Sequence, residues 1–339
     1  MNFKHLTQAY NSINTNMLTN TLLIIIVLFC LGSMVYAYRF RGVTRYDNVS
    51  EYLRKGWPIF TPFNCLLYLF TPKKAKPPFI STETVEGLKL LEDNWEIFRD
   101  EALTLLEQGS FDSVKDENNS SYYDVGFRTF YKYGWSKFYL NWYGYTHDSA
   151  LASCPKSIEL LKKVPAVNGA MFSILPPGSK LTRHLDPFAC SLRYHLGLKT
   201  PESDKCFINV DGQSHVWHDG EPVLFDVTYL HFARNDTDKY RVLLMCDIER
   251  PMNWFGRLLN LPYKLFMRLS IVPNTDADKR GVANKVFQSV IPVLSWSKNL
   301  KEKNLALYKI VKYVTNTTLA VLLGLILWAI FKGLQALIF

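Results

Sequence analysis

The chain has 339 residues and a net charge of +9, and Phe, Trp and Tyr make up 14% of it. That length allows one large domain or two modest ones, and near-average Gly and Pro with no repeat period exclude a solenoid or a disordered chain. Such a positive balance suits nucleic acid or an anionic membrane surface, and the apolar segments below decide for the membrane over nucleic acid.

Residues 1–17 read as a short polar tail outside the cytoplasm. Residues 18–38 (LTNTLLIIIVLFCLGSMVYAY) carry no charge, and about 20 such residues cross a bilayer. A cleaved signal would place its basic residues ahead of the apolar run, whereas Arg39, Arg41 and Arg45 follow it. By the positive-inside rule, residue 39 onward is cytoplasmic. Residues 39–80 read as a basic juxtamembrane segment, in which GWPIFTPFNCLLYLFTPKKAK is too short and too proline-broken to span and is expected at the interface. Residues 83–107 place apolar residues at helical spacing, and a polar loop, GSFDSVKDENNSSYYD, follows. Ser157 is the expected cap of a short helix that stops near Pro165.

Beyond that point the period shortens. AMFSIL, SLRYHLGL, KCFINVDG, HVWHDG, PVLFDV and RVLLMCDIE read as strands, with Asp211-Gly212 and Asp219-Gly220 as turn signals. The fold class that follows is a mainly β jelly roll with flanking helices, over a cytoplasmic domain of residues 81–250, plus one transmembrane helix near each terminus. Within residues 251–312, Arg257, Lys264 and Arg268 alternate with apolar residues. This pattern suits a helix lying in the headgroup layer or one docked on the domain, and tethering at both ends favours the membrane. The second span is expected over residues 313–333, preceded by Lys298, Lys301, Lys303, Lys309 and Lys312. The six cysteines form no C-x-x-C pair, which favours a reducing compartment over a disulfide framework.

The chemistry-bearing residues cluster between Ser173 and Arg241. Two histidines and a carboxylate, His184, Asp186 and His231, can hold one face of a metal and leave the other open, as Fe(II) oxygenases require. Zn or Mn are alternatives, although no H-E-x-x-H helix is present. His184 and Asp186 are two apart, so on a strand they share a face. Read alone, the pattern also fits a core histidine and a turn residue before Pro187. Arg241 opens an apolar strand, where an unpaired charge is costly, and Arg193 and His195 share a strand face. Arginine suits the clamping of a carboxylate on an oxoacid.

Trp135-Ser136-Lys137-Phe138, Ser173, Pro177-Gly178, His184, the run from Leu192 to Leu198, Phe225-Asp226, His231 and Arg241 together resemble the aspartyl/asparaginyl β-hydroxylase family. Its members are double-stranded β-helix dioxygenases dependent on Fe(II) and 2-oxoglutarate. Within it, HLDPFACSLRYHLGL with a span at each end most resembles the bacterial LpxO-type enzymes, which hydroxylate C2 of a secondary acyl chain of lipid A at the inner membrane. The resemblance implies iron ligands at His184 and His231, and O2 as cosubstrate. It also implies 2-oxoglutarate contacts at Trp135, Ser173, Arg193, His195 and Arg241. The peptide-hydroxylating branch has Gly where this chain has Asp186. Asp186 therefore either completes a facial triad or serves the ligands' surroundings or the substrate. The expected partners are a lipid A acyl chain and the anionic inner-membrane surface. Ornithine-lipid or peptidyl Asp/Asn hydroxylation, and a metal-free membrane adaptor, are the alternatives.

Overall fold

The computed structural model describes residues 3–111 and 135–338, so most of the expected polar loop after residue 107 lies outside the described residues. Two compact units share the chain: Phe29–Lys285, and Met1–Leu28 with Val286–Phe339. No glycine or proline occurs before Gly32 to break a helix, and α1 runs unbroken over Phe3–Arg39. The polar tail is thus largely a continuation of that helix. Among the described residues, Met17–Arg39 is the one helical segment long and apolar enough to cross a membrane, with a mean hydropathy of 2.3.

The juxtamembrane segment folds into the Phe29–Lys285 unit as α2 (Val49–Lys55) and α3 (Thr61–Phe70). After β1 (Phe79–Ile80), the helix expected over 83–107 is broken into α4 (Leu88–Asp93) and α5 (Trp95–Glu107). Asn94 sits at the break, where its side-chain amide donates to the Leu90 carbonyl at 2.8 Å, a local bond that competes with helix continuation. β2 (Ser136–Trp142), β3 (Tyr145–Thr146) and α6 (Asp148–Ser153) lead to α7 (Pro155–Lys162). Ser157 is not the cap of α7. Pro155 starts the helix, and Glu101 of α5 accepts from the backbone amides of Lys156 and Ser157 at 3.1 and 2.9 Å.

The expected strands form as β4 (Val167–Leu175), β6 (Ser191–Lys199), β7 (Cys206–Val210), β8 (Gln213–Val216), β9 (Pro222–Phe225) and β11 (Arg241–Glu249). β5 (Ser179–His184) and β10 (His231–Asn235) join them. Asp211 and Gly212, both at positive φ, make the tight β7–β8 turn. The strands build a seven-stranded sheet, β1-β9-β6-β11-β4-β2-β3, and a four-stranded sheet, β5-β10-β7-β8.

Alternation along β6 and β11 then sorts the side chains. Leu192, Tyr194, Leu196, Val242, Leu244 and Ile248 pack outward against α4, α5 and α7. The opposite face of the sheet carries Arg193, His195, Leu243 and Asp247, and Leu243 meets Ile208, Val210 and Ala233 of the smaller sheet. The jelly roll therefore encloses its polar residues between two sheets.

α8 (Trp254–Leu269) is capped by Asn253, whose side chain accepts from the Gly256 amide at 3.0 Å. It docks through Gly256 and Asn260, and the Asn260 amide donates to the Cys190 carbonyl at 3.1 Å. Trp254, Leu258, Leu261, Leu265 and Leu269 are 43–73% exposed. The helix thus presents one apolar stripe outward, while Leu259, Tyr263 and Met267 seat its other face on the core. α9 (Val282–Lys303) and α10 (Leu305–Ile338) follow, and the residues expected as a second span, 313–333, are helical within α10.

Candidate metal and cosubstrate site

β5 and β10 pair antiparallel with His184 directly opposite His231. Their ring centroids are 4.2 Å apart. Asp186 lies beyond the end of β5, so strand alternation does not aim it; its amide donates to the Val227 carbonyl at 2.8 Å and sets it beside the histidines instead. One ligand atom from each of the three lies within 4.8 Å of the others.

The Nδ1 atoms of His184 and His231 face the carbonyls of Thr182 and Tyr229, at 2.8 and 2.9 Å. A carbonyl only accepts, so each Nδ1 carries a proton, which in the neutral ring leaves the Nε2 lone pair for a ligand. Burial, followed by the proximity of His184, pushes the His231 pKa down to about 3, and a metal-binding imidazole must be neutral. Two imidazoles and a carboxylate on one side fit Fe(II) with positions left open.

Arg193, expected at the oxoacid, stands instead between two carboxylates. Its guanidinium is 3.3 Å from Asp186 Oδ2 and 3.3 Å from Asp247 Oδ1. Asp186 Oδ1 lies 3.8 Å from His184 Nε2, so one carboxylate oxygen faces Arg193 and the other faces the histidine.

A second group sits deeper between the sheets. Arg241, the first residue of β11, is fully buried, with its guanidinium carbon 4.5 Å from the Trp217 ring centre and 5.0 Å from that of Trp135. Its Nη2 reaches Ser173 Oγ at 3.4 Å, while Nε and Nη1 have no hydrogen-bond partner. His195 is buried with both ring nitrogens unpartnered. Burial pushes the Arg241 pKa down to about 10, and burial and then Arg241 push His195 well down. Buried polar atoms almost always find partners, and the forked donors of an arginine suit a carboxylate. Phe225 links the two groups, its ring 5.9 Å from His231 and 5.1 Å from His195.

Two further residues lie here to which sequence reasoning gave no role. Trp217 read only as a strand position in HVWHDG, yet it is fully buried and its indole nitrogen has no partner. Lys137 lies opposite Ser173 in the β2–β4 register; it is buried, and burial pushes its pKa well down.

Residues 92–251 match the family described as Aspartyl/Asparaginyl beta-hydroxylase. The ornithine lipid ester-linked acyl 2-hydroxylase of Rhizobium tropici is 32% identical over 193 residues, covering 56% of this chain and 66% of that protein. The aspartyl/asparaginyl beta-hydroxylase of Homo sapiens is 30% identical over 192 residues, covering 55% of this chain and 24% of that protein. The chain thus spans less than two thirds of the length of these curated relatives. A solved Pseudomonas putida prolyl-4-hydroxylase aligns over 47% of this chain and 88% of its own at 17% identity and a TM-score of 0.31, too loose a likeness to argue from.

Proposed function

Residues 92–251 belong to the aspartyl/asparaginyl β-hydroxylase family, and on that premise we propose a membrane-anchored, Fe(II)- and 2-oxoglutarate-dependent dioxygenase that hydroxylates C2 of a secondary acyl chain of lipid A. The observation that carries the reading is the pairing of a His–Asp–His cluster with a buried, under-partnered Arg241 across Phe225. In this reading His184, Asp186 and His231 hold the iron. Arg241, Ser173 and His195 bind 2-oxoglutarate, with Trp135 and Trp217 as walls. When bound, the iron supplies oxygen activation coupled to loss of CO2 from the oxoacid.

The chain's own residues prepare that site. The Arg241 fork takes a carboxylate, and His195, kept neutral by burial, offers its ring without adding charge. Arg193 pairs with one Asp186 oxygen and leaves the other turned toward His184. Phe225 and Trp217 keep water from the oxoacid.

A lipid substrate is supported by the uncharged α1 segment and by the outward apolar stripe of α8. α10 would supply the second span and leave the catalytic unit on the cytoplasmic face of a bacterial inner membrane. The basic residues beside the spans suit an anionic surface. The Rhizobium tropici relative, named for acyl 2-hydroxylation of ornithine lipid, favours an acyl chain over a peptide and supports ornithine lipid as the second reading.

Mass spectrometry of membrane lipids from cells with and without the chain tests the proposal. One added oxygen on a lipid A acyl chain is expected. An addition confined to ornithine lipid replaces the lipid and keeps the chemistry. His231→Ala should abolish the addition with membrane insertion unchanged, and a variant that still hydroxylates would sink the metal assignment.

A further inference from the structure

We infer that Arg41, which lies just beyond α1 and outside the residues that match the family, is a positioning residue for the metal site. An arginine after an apolar span ordinarily stays in the headgroup layer. Arg41 is instead 9% exposed, with its guanidinium inside the catalytic unit. Its Nη2 donates to Asp226 Oδ2 at 2.7 Å and to Thr228 Oγ1 at 2.8 Å. Its guanidinium carbon lies 3.8 Å from the Tyr68 ring centre and 4.3 Å from that of Tyr229. Tyr68 of α3 also donates to Thr228 Oγ1, at 2.9 Å. The β9–β10 loop is therefore held from the juxtamembrane side through Asp226, Thr228 and Tyr229.

That loop supplies two of the three backbone carbonyls that orient the metal cluster, the third being Thr182 O of β5. Tyr229 O takes the Nδ1 proton of His231, and Val227 O takes the amide of Asp186. The neighbouring loop is held from the same side. Asn64 of α3 donates to the Pro187 carbonyl at 2.9 Å and accepts from the Ala189 amide at 2.8 Å. The three candidate ligands all lie within 92–251, but residues between 41 and 68 hold the loops that aim them.

Charge balance does not explain Arg41. Arg250 already meets the buried Asp226 carboxylate at 2.8 Å, so that pair is neutral by itself and Arg41 leaves the cluster net positive. What Arg41 adds is direction: a fork and two stacked rings that fix where the loop's carbonyls lie. Groups hydrogen-bonded to metal ligands tune metal affinity in this way.

The inference rests on the metal reading above, so its test reads metal binding rather than turnover. Full-length chain in nanodiscs would be titrated with Co2+, a probe indifferent to O2, following the visible band and the dissociation constant. Arg41→Met keeps the stem, removes the fork and leaves Arg250–Asp226 balanced. Thr228→Val removes the shared hydroxyl and Thr228→Ser retains it. We expect Arg41→Met and Thr228→Val to lose about tenfold or more in Co2+ affinity with an altered band, and Thr228→Ser to match the wild type. Affinities within about twofold of wild type in both, even with lower melting temperatures, would show a merely structural role and overturn the inference. The Thr228 pair carries the test if Arg41→Met does not fold. Wild-type chain whose Co2+ binding is absent, or is unchanged by His231→Ala, overturns the metal reading itself and the inference with it.

Discussion

Replacing Arg241 by methionine should make the ligand-free chain more stable and the cosubstrate-binding chain worse. The guanidinium is fully buried, and two of its nitrogens have no partner. Burial lowers its pKa from the ordinary arginine range to about 10; at about 1.4 kcal/mol per pH unit this is roughly 3 kcal/mol held against the charged form. The faces of Trp135 and Trp217 return part of that, on the order of 1 kcal/mol each. Methionine fills a similar length without a charge, so the ligand-free variant should gain about 1–2 kcal/mol, a rise of a few degrees in Tm. Binding goes the other way. Two charge-assisted bonds to a carboxylate contribute about 1.5–3 kcal/mol each, and their loss should weaken 2-oxoglutarate binding about a hundredfold or more. Thermal melting of the full-length chain, with calorimetric titration of 2-oxoglutarate into Mn2+-loaded protein, reads both effects. A methionine variant that melts below wild type without ligand, or binds 2-oxoglutarate within about threefold of wild type, refutes Arg241 as the carboxylate clamp.

Three further outcomes follow from the same structure. Asp186→Gly should lower metal affinity by roughly tenfold or more; near-normal metal retention would remove Asp186 from the ligands and leave it to the substrate side. His195 is held neutral in the folded state, with its pKa well below 6.5, so as pH falls below about 6.5 the unfolded chain takes up a proton that the folded chain refuses. Stability should therefore fall with acidification, and His195→Phe should flatten that slope between about pH 7.5 and pH 5.5; equal slopes of Tm against pH would contradict the burial argument. In nanodiscs containing nitroxide lipids, a fluorophore on Leu261→Cys should be quenched and one on Lys205→Cys should not, with Cys30 and Cys65 replaced by Ser in both. Equal emission from the two positions would mean that the α8 stripe does not enter the bilayer.

The strands that sequence pattern could reveal were those with apolar runs of their own, such as RVLLMCDIE in β11 and SLRYHLGL in β6. β5 and β10 were hidden because SKLTRH and HFARN contain little apolar surface and owe their structure to neighbours in the sheet. These are the strands that set His184 opposite His231. The residue types of the candidate metal site were thus legible while its geometry was not. Asp186 was assigned to a strand face, but a loop hydrogen bond places it. Arg193 was expected at the oxoacid from the family resemblance, and no sequence pattern could show that its guanidinium lies 3.3 Å from both Asp186 and Asp247. The α8 pattern left docking and membrane contact open, because periodicity locates an apolar stripe without saying which side carries the seat. Gly256, Leu259, Asn260, Tyr263 and Met267 make the seat, and Leu258, Leu261, Leu265 and Leu269 are left outside.

β11 is the last strand to be synthesised, yet it stands at the centre of the larger sheet, hydrogen-bonded to β6 on one side and β4 on the other. Until residue 249 has left the ribosome, the β1-β9-β6 and β4-β2-β3 halves have no common neighbour. Pairings so distant along the chain form slowly, because loop closure precedes any gain from contact. A growing chain would wait with two unjoined half-sheets and their apolar faces open to aggregation. The domain therefore closes as a single late event, and a nascent chain halted before Arg241 should be degraded by proteases that spare the finished protein.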